Sequence, residues 1–316
     1  MGRDDNRLMM PIALSQLSPS PFPTGVQRLS EWGVIRALGA DSATFLQGQL
    51  TNDVQSMGAG DVRLAAYCSA KGRMQASFVV SRPAPDEFLL ACSADLLPTV
   101  LKRLSMFVMR AQCKLTDASA DLAVWGEVGG ELAAQAASFD AASGVHRLRL
   151  ASVLGLARHL CLVPTGVVPD APALPEGAWG WLEVGSAVPR VVAATAEAFV
   201  PQMVNLEVVG GVSFKKGCYP GQEVVARSQY RGTLKRRGAL LVGDAALAPG
   251  QEVFHSADPG QPAGTVALSA QFGGRHLALV ELKLAALEGG TLHLGSAEGA
   301  ALSSVALPYE IPAEAP

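Results

Sequence analysis

Apolar and polar positions follow two rhythms along this chain. Leu29 to Leu38 alternates like an opening strand and turns at Gly39. Leu46, Leu50 and Val54 then recur at i+4, the core stripe of a helix capped by Asp41 or Ser42. Arg63–Ser69 and Met74–Ser81 form two strand-like runs joined around Ala-Lys-Gly-Arg, a hairpin pattern, and Phe88–Cys92 is a third strand. Leu97, Leu101, Leu104 and Val108 return to helical spacing before a strand at Ala111–Thr116. Two helices laid on one antiparallel sheet make an α+β layer.

The pattern then starts again. Leu122–Val128 is a strand, Glu131–Ser138 a short helix, and Arg147–Val163 two more strands. Thr165–Gly177 is a loop bounded and crossed by prolines, and Trp179 and Trp181 follow it. Gly221–Tyr230 is a helical run, with Pro220 suited to its first turn and Gly232 ending it. Past Leu234 the texture changes to short alternating runs split by Gly and Pro: Ala239–Val242, Thr265–Ser269, His276–Leu282 and Thr291–Leu294. That is the signature of a small antiparallel barrel. The expected organisation is a loose arm over residues 1–25, with Pro19, Pro21 and Pro23, a two-part α+β region over 26–234, a β-barrel over 235–310 and a tail over 311–316.

Composition narrows the class. At 316 residues, with 49% hydrophobic and 17% charged residues, the chain is long enough for two or three units with extensive burial. No run of 18 apolar residues is free of charge, and the N-terminus has no hydrophobic signal core, so a cytoplasmic protein without membrane spans is expected. Five cysteines at wide spacing, with no C-x-x-C, predict neither a disulfide framework nor a local metal site. P-loop, dinucleotide-binding, zinc-protease and α/β-hydrolase motifs are all missing.

Charge singles out one stretch. Lys215 to Arg237 holds seven bases and one acid, a local charge of +6 in a chain of −3, which leaves −9 for the rest. At its head Cys218 follows Lys215 and Lys216 and precedes the predicted helix. Neighbouring cations and a helix N-terminus both favour a thiolate, which makes Cys218, assisted by Lys216, the candidate reactive group. Cys68, Cys92, Cys113 and Cys161 lie in apolar strand-like runs and are expected to be inert core. The net acidic chain carries no nucleic-acid-binding signature, so the basic window points to an anionic small ligand or an acidic partner and away from direct nucleic-acid binding.

Four blocks in order carry a resemblance: residues 39–54 (GADSATFLQGQLTNDV), 65–74 (AAYCSAKGRM), 199–207 (FVPQMVNLE) and 215–227 (KKGCYPGQEVVAR). They resemble the YgfZ-type folate-binding proteins, relatives of the glycine-cleavage T-protein. The resemblance implies a three-domain α+β fold around a central channel that binds tetrahydrofolate. It also implies an accessory role in assembling or repairing iron–sulfur proteins, including tRNA-modifying ones, with those proteins as partners. Cys218 inherits the family's required cysteine. Trp32 and Trp179 fall where the family has tryptophans near the folate. Gln202 and Asn205 are further candidates for the pterin, and Tyr219, Gln222, Glu223 and Arg227 of the signature complete the expected cofactor set.

Gln75 and Ala76 stand where T-proteins carry acids, and neither can act as a general base. Two other readings remain open at this stage: a folate-dependent aminomethyl or one-carbon transferase, and a folate-binding scaffold whose cysteine is structural.

Overall fold

The alternation becomes two open sheets and a closed barrel in the computed structural model, which describes residues 11–130, 136–230 and 234–312. In chain order the first elements are α1 (Leu14–Leu17), β1 (Gly25–Arg28), β2 (Trp32–Leu38), α2 (Ser42–Gln47), β3 (Val62–Cys68), β4 (Met74–Ala84), β5 (Glu87–Ser93), α3 (Leu97–Ser105) and β6 (Lys114–Asp117). The second part holds β7 (Leu122–Val128), β8 (Ala137–Asp140), β9 (Val145–Val153), β10 (Leu156–Pro164), α4 (Ala178–Gly185) and α5 (Gln222–Tyr230). The last six strands are β11 (Arg236–Gly243), β12 (Glu252–His255), β13 (Asp258–Phe272), β14 (Arg275–Lys283), β15 (Leu292–Leu294) and β16 (Ala301–Val305).

One sheet has the order β3-β4-β5-β2-β6, a second β1-β7-β10-β9-β8, and the last six strands close into a barrel, β11-β14-β13-β12-β15-β16. The two sheets share one core with part of the barrel wall, and the barrel has its own interior. Strand β11 shows how the period of two serves both. Leu240 and Val242 face the shared core, while Ala239 and Leu241 fill the barrel. Among the described residues no helix is long and apolar enough to cross a membrane.

Several boundaries move. Helix α2 stops at Gln47, so Leu50 and Val54 are fully buried but lie beyond it. Helix α3 stops at Ser105, because Met106–Arg110 turns outward with Met109 in the left-handed region (φ 44°). The expected helix at Glu131–Ser138 falls mostly outside the described residues, and its end belongs to strand β8. Residues 12–22, expected in the loose arm, are packed on the fold. Ile12 pairs with the barrel through Ser304, Ser18 accepts a hydrogen bond from Trp181 Nε1 at 2.9 Å, and Phe22 is buried against Phe272.

Candidate functional site

A cavity of about 400 Å³ opens between the two sheets. Its walls come from β2 (Trp32), β3 and β4 (Leu64, Ser77, Phe78), β9 and β10 (Arg149, Arg158), and α4 (Trp179, Glu183). The segment after α4 adds Arg190, and the C-terminal residues add Tyr309. The volume suits a cofactor-sized ligand.

Local sequence explains why these side chains meet here. Gly126 on β7 has no side chain because Trp179 occupies that space; a Cβ there would lie 2.3 Å from the indole. Trp179 is therefore held flat on the second sheet, and the Arg158 guanidinium lies 4.8 Å from its ring centre. Across the cavity the Arg190 guanidinium covers Trp32 in the same way, at 4.9 Å. Arg190 is fixed by a fork-to-fork pair with Glu183, at 2.6 and 3.2 Å, and by a bond to Ser93 Oγ on the strand beside Trp32. Both members of that pair are about 10% exposed.

The indole Nε1–H groups of Trp32 and Trp179 are buried and have no acceptor within the described protein. Buried donors of this kind call for a partner. An aromatic ligand with ring acceptors and an amino edge would supply one. Glu183 retains lone pairs beyond its ion pair and can accept from such an amino edge. These residues fit a reduced pterin. The fit depends on donors and a carboxylate more than on bare stacking faces, since each indole already carries a guanidinium.

The structure brings Trp32 and Trp179 together and leaves the other expected cofactor residues elsewhere. Gln202 is fully buried and donates to Val225 O of α5 at 2.8 Å. Asn205, also fully buried, donates to Gly238 O and accepts from Gly238 N, tying the chain to the barrel. Asn205 also donates to Tyr309 Oη at 3.3 Å, the Gln202 Oε1 is buried without a partner among the described residues, and neither residue borders the cavity. Tyr219 is buried under the Lys216 ammonium, 4.8 Å from its ring centre. Gln222 opens α5, and Glu223 pairs with Arg227 at 2.9 Å on its solvent face, 85% and 68% exposed. None of the four borders the cavity.

The basic window is also not one patch. Arg236 pairs with Glu281 at 2.8 and 2.9 Å, and Arg237 is buried against Glu207. Acids distant in sequence neutralise them, which a local count could not register. Arg231 lies outside the described residues. The cavity's cations are Arg149, Arg158 and Arg190. These, with Glu183, are the site residues that local motifs did not reveal. The available signal was a charge inside an apolar run, as in Leu-Ala-Arg-His-Leu-Cys-Leu-Val and Trp-Leu-Glu-Val.

Cys218 is exposed and free. It stands four residues ahead of the first helical residue, Gln222, with Pro220 in the intervening turn. Lys216 does not point freely at the thiol: its ammonium donates to Gln47 O, the last residue of α2, and to Leu50 O just beyond it, the latter at 2.7 Å. Burial pushes the Lys216 ammonium down to about 8. Cys218 does not border the cavity. The other four cysteines are buried, and burial raises their thiols, Cys68 and Cys92 to about 12. Among the described residues no group of His, Cys, Asp or Glu is arranged to hold a metal ion. In the hairpin, Gln75 donates to Glu197 and Ala76 is fully buried.

Comparison with known proteins gives four findings. The GCVT N-terminal domain model matches residues 24–152. The tRNA-modifying protein YgfZ of Photobacterium profundum is 31% identical over 300 residues, covering 90% of this chain and 91% of that one. The tRNA-modifying protein YgfZ of Edwardsiella ictaluri is 32% identical over 254 residues, covering 74% and 75%. Among solved structures, the glycine cleavage system aminomethyltransferase T of Bartonella henselae superposes with a TM-score of 0.64 over 90% of this chain and 86% of its own, at 16% identity. That last likeness establishes a shared fold.

Proposed function

The chain belongs to the YgfZ family, and from that premise we propose that it is a cytoplasmic tetrahydrofolate-binding accessory factor for the assembly or repair of iron–sulfur enzymes. The observation that carries the reading is the cavity, where two orphaned indole donors and a buried carboxylate meet. Tetrahydrofolate, when bound, supplies a reduced pterin able to carry a one-carbon unit. The protein's part is to hold and orient it. Trp32 and Trp179 donate through Nε1, Glu183 accepts from the amino edge, and Phe78 and Leu64 exclude water. Arg190 fixes the rotamer of the Glu183 carboxylate through two hydrogen bonds.

The transferase reading gains nothing from the cavity. Its one carboxylate among the described residues is held in an ion pair, and Gln75 and Ala76 do not border it. Cys218 is the exposed thiol among the five cysteines, on a loop where a client's cluster or sulfur could reach it. The test is complementation of a deletion strain, read as the activity of an iron–sulfur tRNA-thiolating enzyme. Wild type should restore activity and Cys218→Ser should not, at equal protein levels. Full restoration by Cys218→Ser would remove the thiol from the account and leave the scaffold reading.

A further inference from the structure

Helix α3 ends in a surface whose charges and apolar groups the fold leaves unused. Residues 102–114 carry four bases (Lys102, Arg103, Arg110 and Lys114) and no acid. Arg236 and Arg237 are neutralised by distant acids, but here none of the four bases forms an ion pair among the described residues. Between them Met106, Phe107 and Met109 are 69%, 48% and 87% exposed. Leu38, which pairs with Lys114 across β2 and β6, is exposed too. Contiguous apolar groups in water, rimmed by charge, mark an interaction site.

The segment follows an ordered path. Turn bonds run from Met106 N to Lys102 O, Phe107 N to Leu104 O, Val108 N to Ser105 O and Ala111 N to Val108 O. Asp41 closes the far end by accepting from Gln112 N at 2.7 Å. Val108 turns inward and packs on the shared core. Its neighbours turn outward, and Met109 does so from left-handed backbone (φ 44°), which residues other than glycine rarely adopt. A chain that only had to turn here would use glycine. A strained backbone that holds a large apolar side chain in water points to a partner.

This surface lies near Cys218. Lys216 holds Leu50 O at 2.7 Å, Leu50 is bridged to Tyr67, and the Arg103 guanidinium is close enough to Tyr67 to act on its hydroxyl. Arg103 belongs to the last turn of α3, just ahead of the exposed methionines. The thiol and the basic apolar surface therefore share one end of the first sheet.

The groups on the surface specify what covers it. Unpaired cations call for acids opposite them, and exposed Met and Phe call for apolar groups that take them out of water. The phosphates of an RNA would meet the cations and leave the methionines wet. An anionic bilayer would satisfy both, but it brings nothing to the neighbouring thiol. A protein with acidic residues around an apolar side chain satisfies all three, and unbranched methionine adapts to more than one such partner. We infer that residues 102–114 are the docking surface for an iron–sulfur client protein, whose acidic, apolar-centred face sits on Met106, Phe107 and Met109 and turns its cluster site toward Cys218. This rests on the reading of Cys218 as the thiol that meets a client, and adds where and by what chemistry the client is held.

Biolayer interferometry of the full chain against a purified iron–sulfur tRNA-thiolating enzyme tests this, with wild type, Met106→Ser/Met109→Ser and Lys102→Glu/Arg110→Glu. Loss of two apolar anchors should weaken binding by about 5- to 30-fold. Charge reversal should weaken it at least as much at low salt, and the gap from wild type should narrow as salt rises. Bound enzyme should slow alkylation of Cys218 in wild type and in neither variant. Both variants should keep the wild-type melting temperature and tetrahydrofolate titration, since the replaced side chains stand mostly in water. Transfer RNA and phosphatidylglycerol vesicles are the competing probes.

Equal binding of the enzyme by all three proteins would overturn the inference and spare the functional reading. So would a wild type that needs these residues for transfer RNA or for the vesicles but not for the enzyme. A wild type that does not bind the enzyme would overturn it as well. A lower melting temperature in Met106→Ser/Met109→Ser would make the methionines part of the fold, with the same consequence. Full complementation by Cys218→Ser, with docking intact, would sink the thiol reading and leave the docking surface standing.

Discussion

The Lys216 ammonium donates to two carbonyls, one at the end of α2 and one just beyond it, and burial lowers its pKa to about 8. In the unfolded chain the same amine titrates at roughly 10.4. Below pH 8 both states hold the proton, and the fold bears the cost of a half-buried cation. Between about 8 and the unfolded value the unfolded state binds more protons, so stability rises with pH across that window. The urea midpoint of wild type, measured against that of Lys216→Met from pH 7 to 10, should show this rise in the wild type only. At neutral pH the variant should also lose about 1.5–3 kcal/mol for each hydrogen bond from the charged amine. A second outcome follows from the thiols. One cysteine per native chain, Cys218, should react rapidly with a thiol reagent, and the remaining four only after denaturation. Inert cysteines were legible in the sequence because they sit inside apolar strand runs. The tethering of Lys216 was not, because its acceptors are backbone atoms some 166 positions away.

Helix α5 was legible because it presents one face to the core, with Val225 buried and Glu223 and Arg227 exposed. Strands β4, β11 and β14 are buried on both faces and were legible as short apolar runs bounded by turn residues. Helix α4 was missed because seven of its eight residues are buried, leaving no polar stripe to set the period. The site carries the same lesson. Its wall is made of single residues from separate elements, and no short window contains two of the cavity's arginines with their carboxylate.

One close approach holds the signature loop to the hairpin. Gly221 (φ 77°) and Gly72 (φ 71°) pack backbone to backbone, and a Cβ on Gly221 would lie 2.3 Å from Ser69 O and 2.6 Å from Gly72 N. Gly221→Ala should cost about 1–3 kcal/mol from the left-handed backbone alone, plus the displacement of the turn. Chemical denaturation would measure the loss, and faster proteolysis within Lys215–Tyr219 would locate it.

At the scale of the molecule, polar contacts join the barrel to the α+β layers. Asn205 makes two bonds to Gly238 of β11, Tyr309 Oη donates to Ala187 O, and Arg237 is paired with Glu207 in a dry setting. The Arg237 and Glu207 side chains are 8% and 6% exposed. Glu207→Gln should therefore cost about 3–5 kcal/mol by stranding a buried charge. Asn205→Ala should cost about 1–3 kcal/mol for the buried Gly238 groups left unsatisfied. If these contacts couple the layers, both variants should split a single melting transition into two, seen by calorimetry. A single transition at wild-type temperature would mean that apolar packing alone joins barrel and sheets.

Acceptance of a reduced folate by the cavity is reported directly by the tryptophans in its wall. The decisive measurement is an anaerobic titration of the protein with tetrahydrofolate followed by tryptophan fluorescence, on wild type and on Trp32→Phe. Wild type should give a saturable one-to-one quench. Trp32→Phe should remain folded, lose part of the signal, and bind about 3- to 10-fold more weakly for want of one donor. A folded wild type whose fluorescence does not respond to tetrahydrofolate would contradict the account.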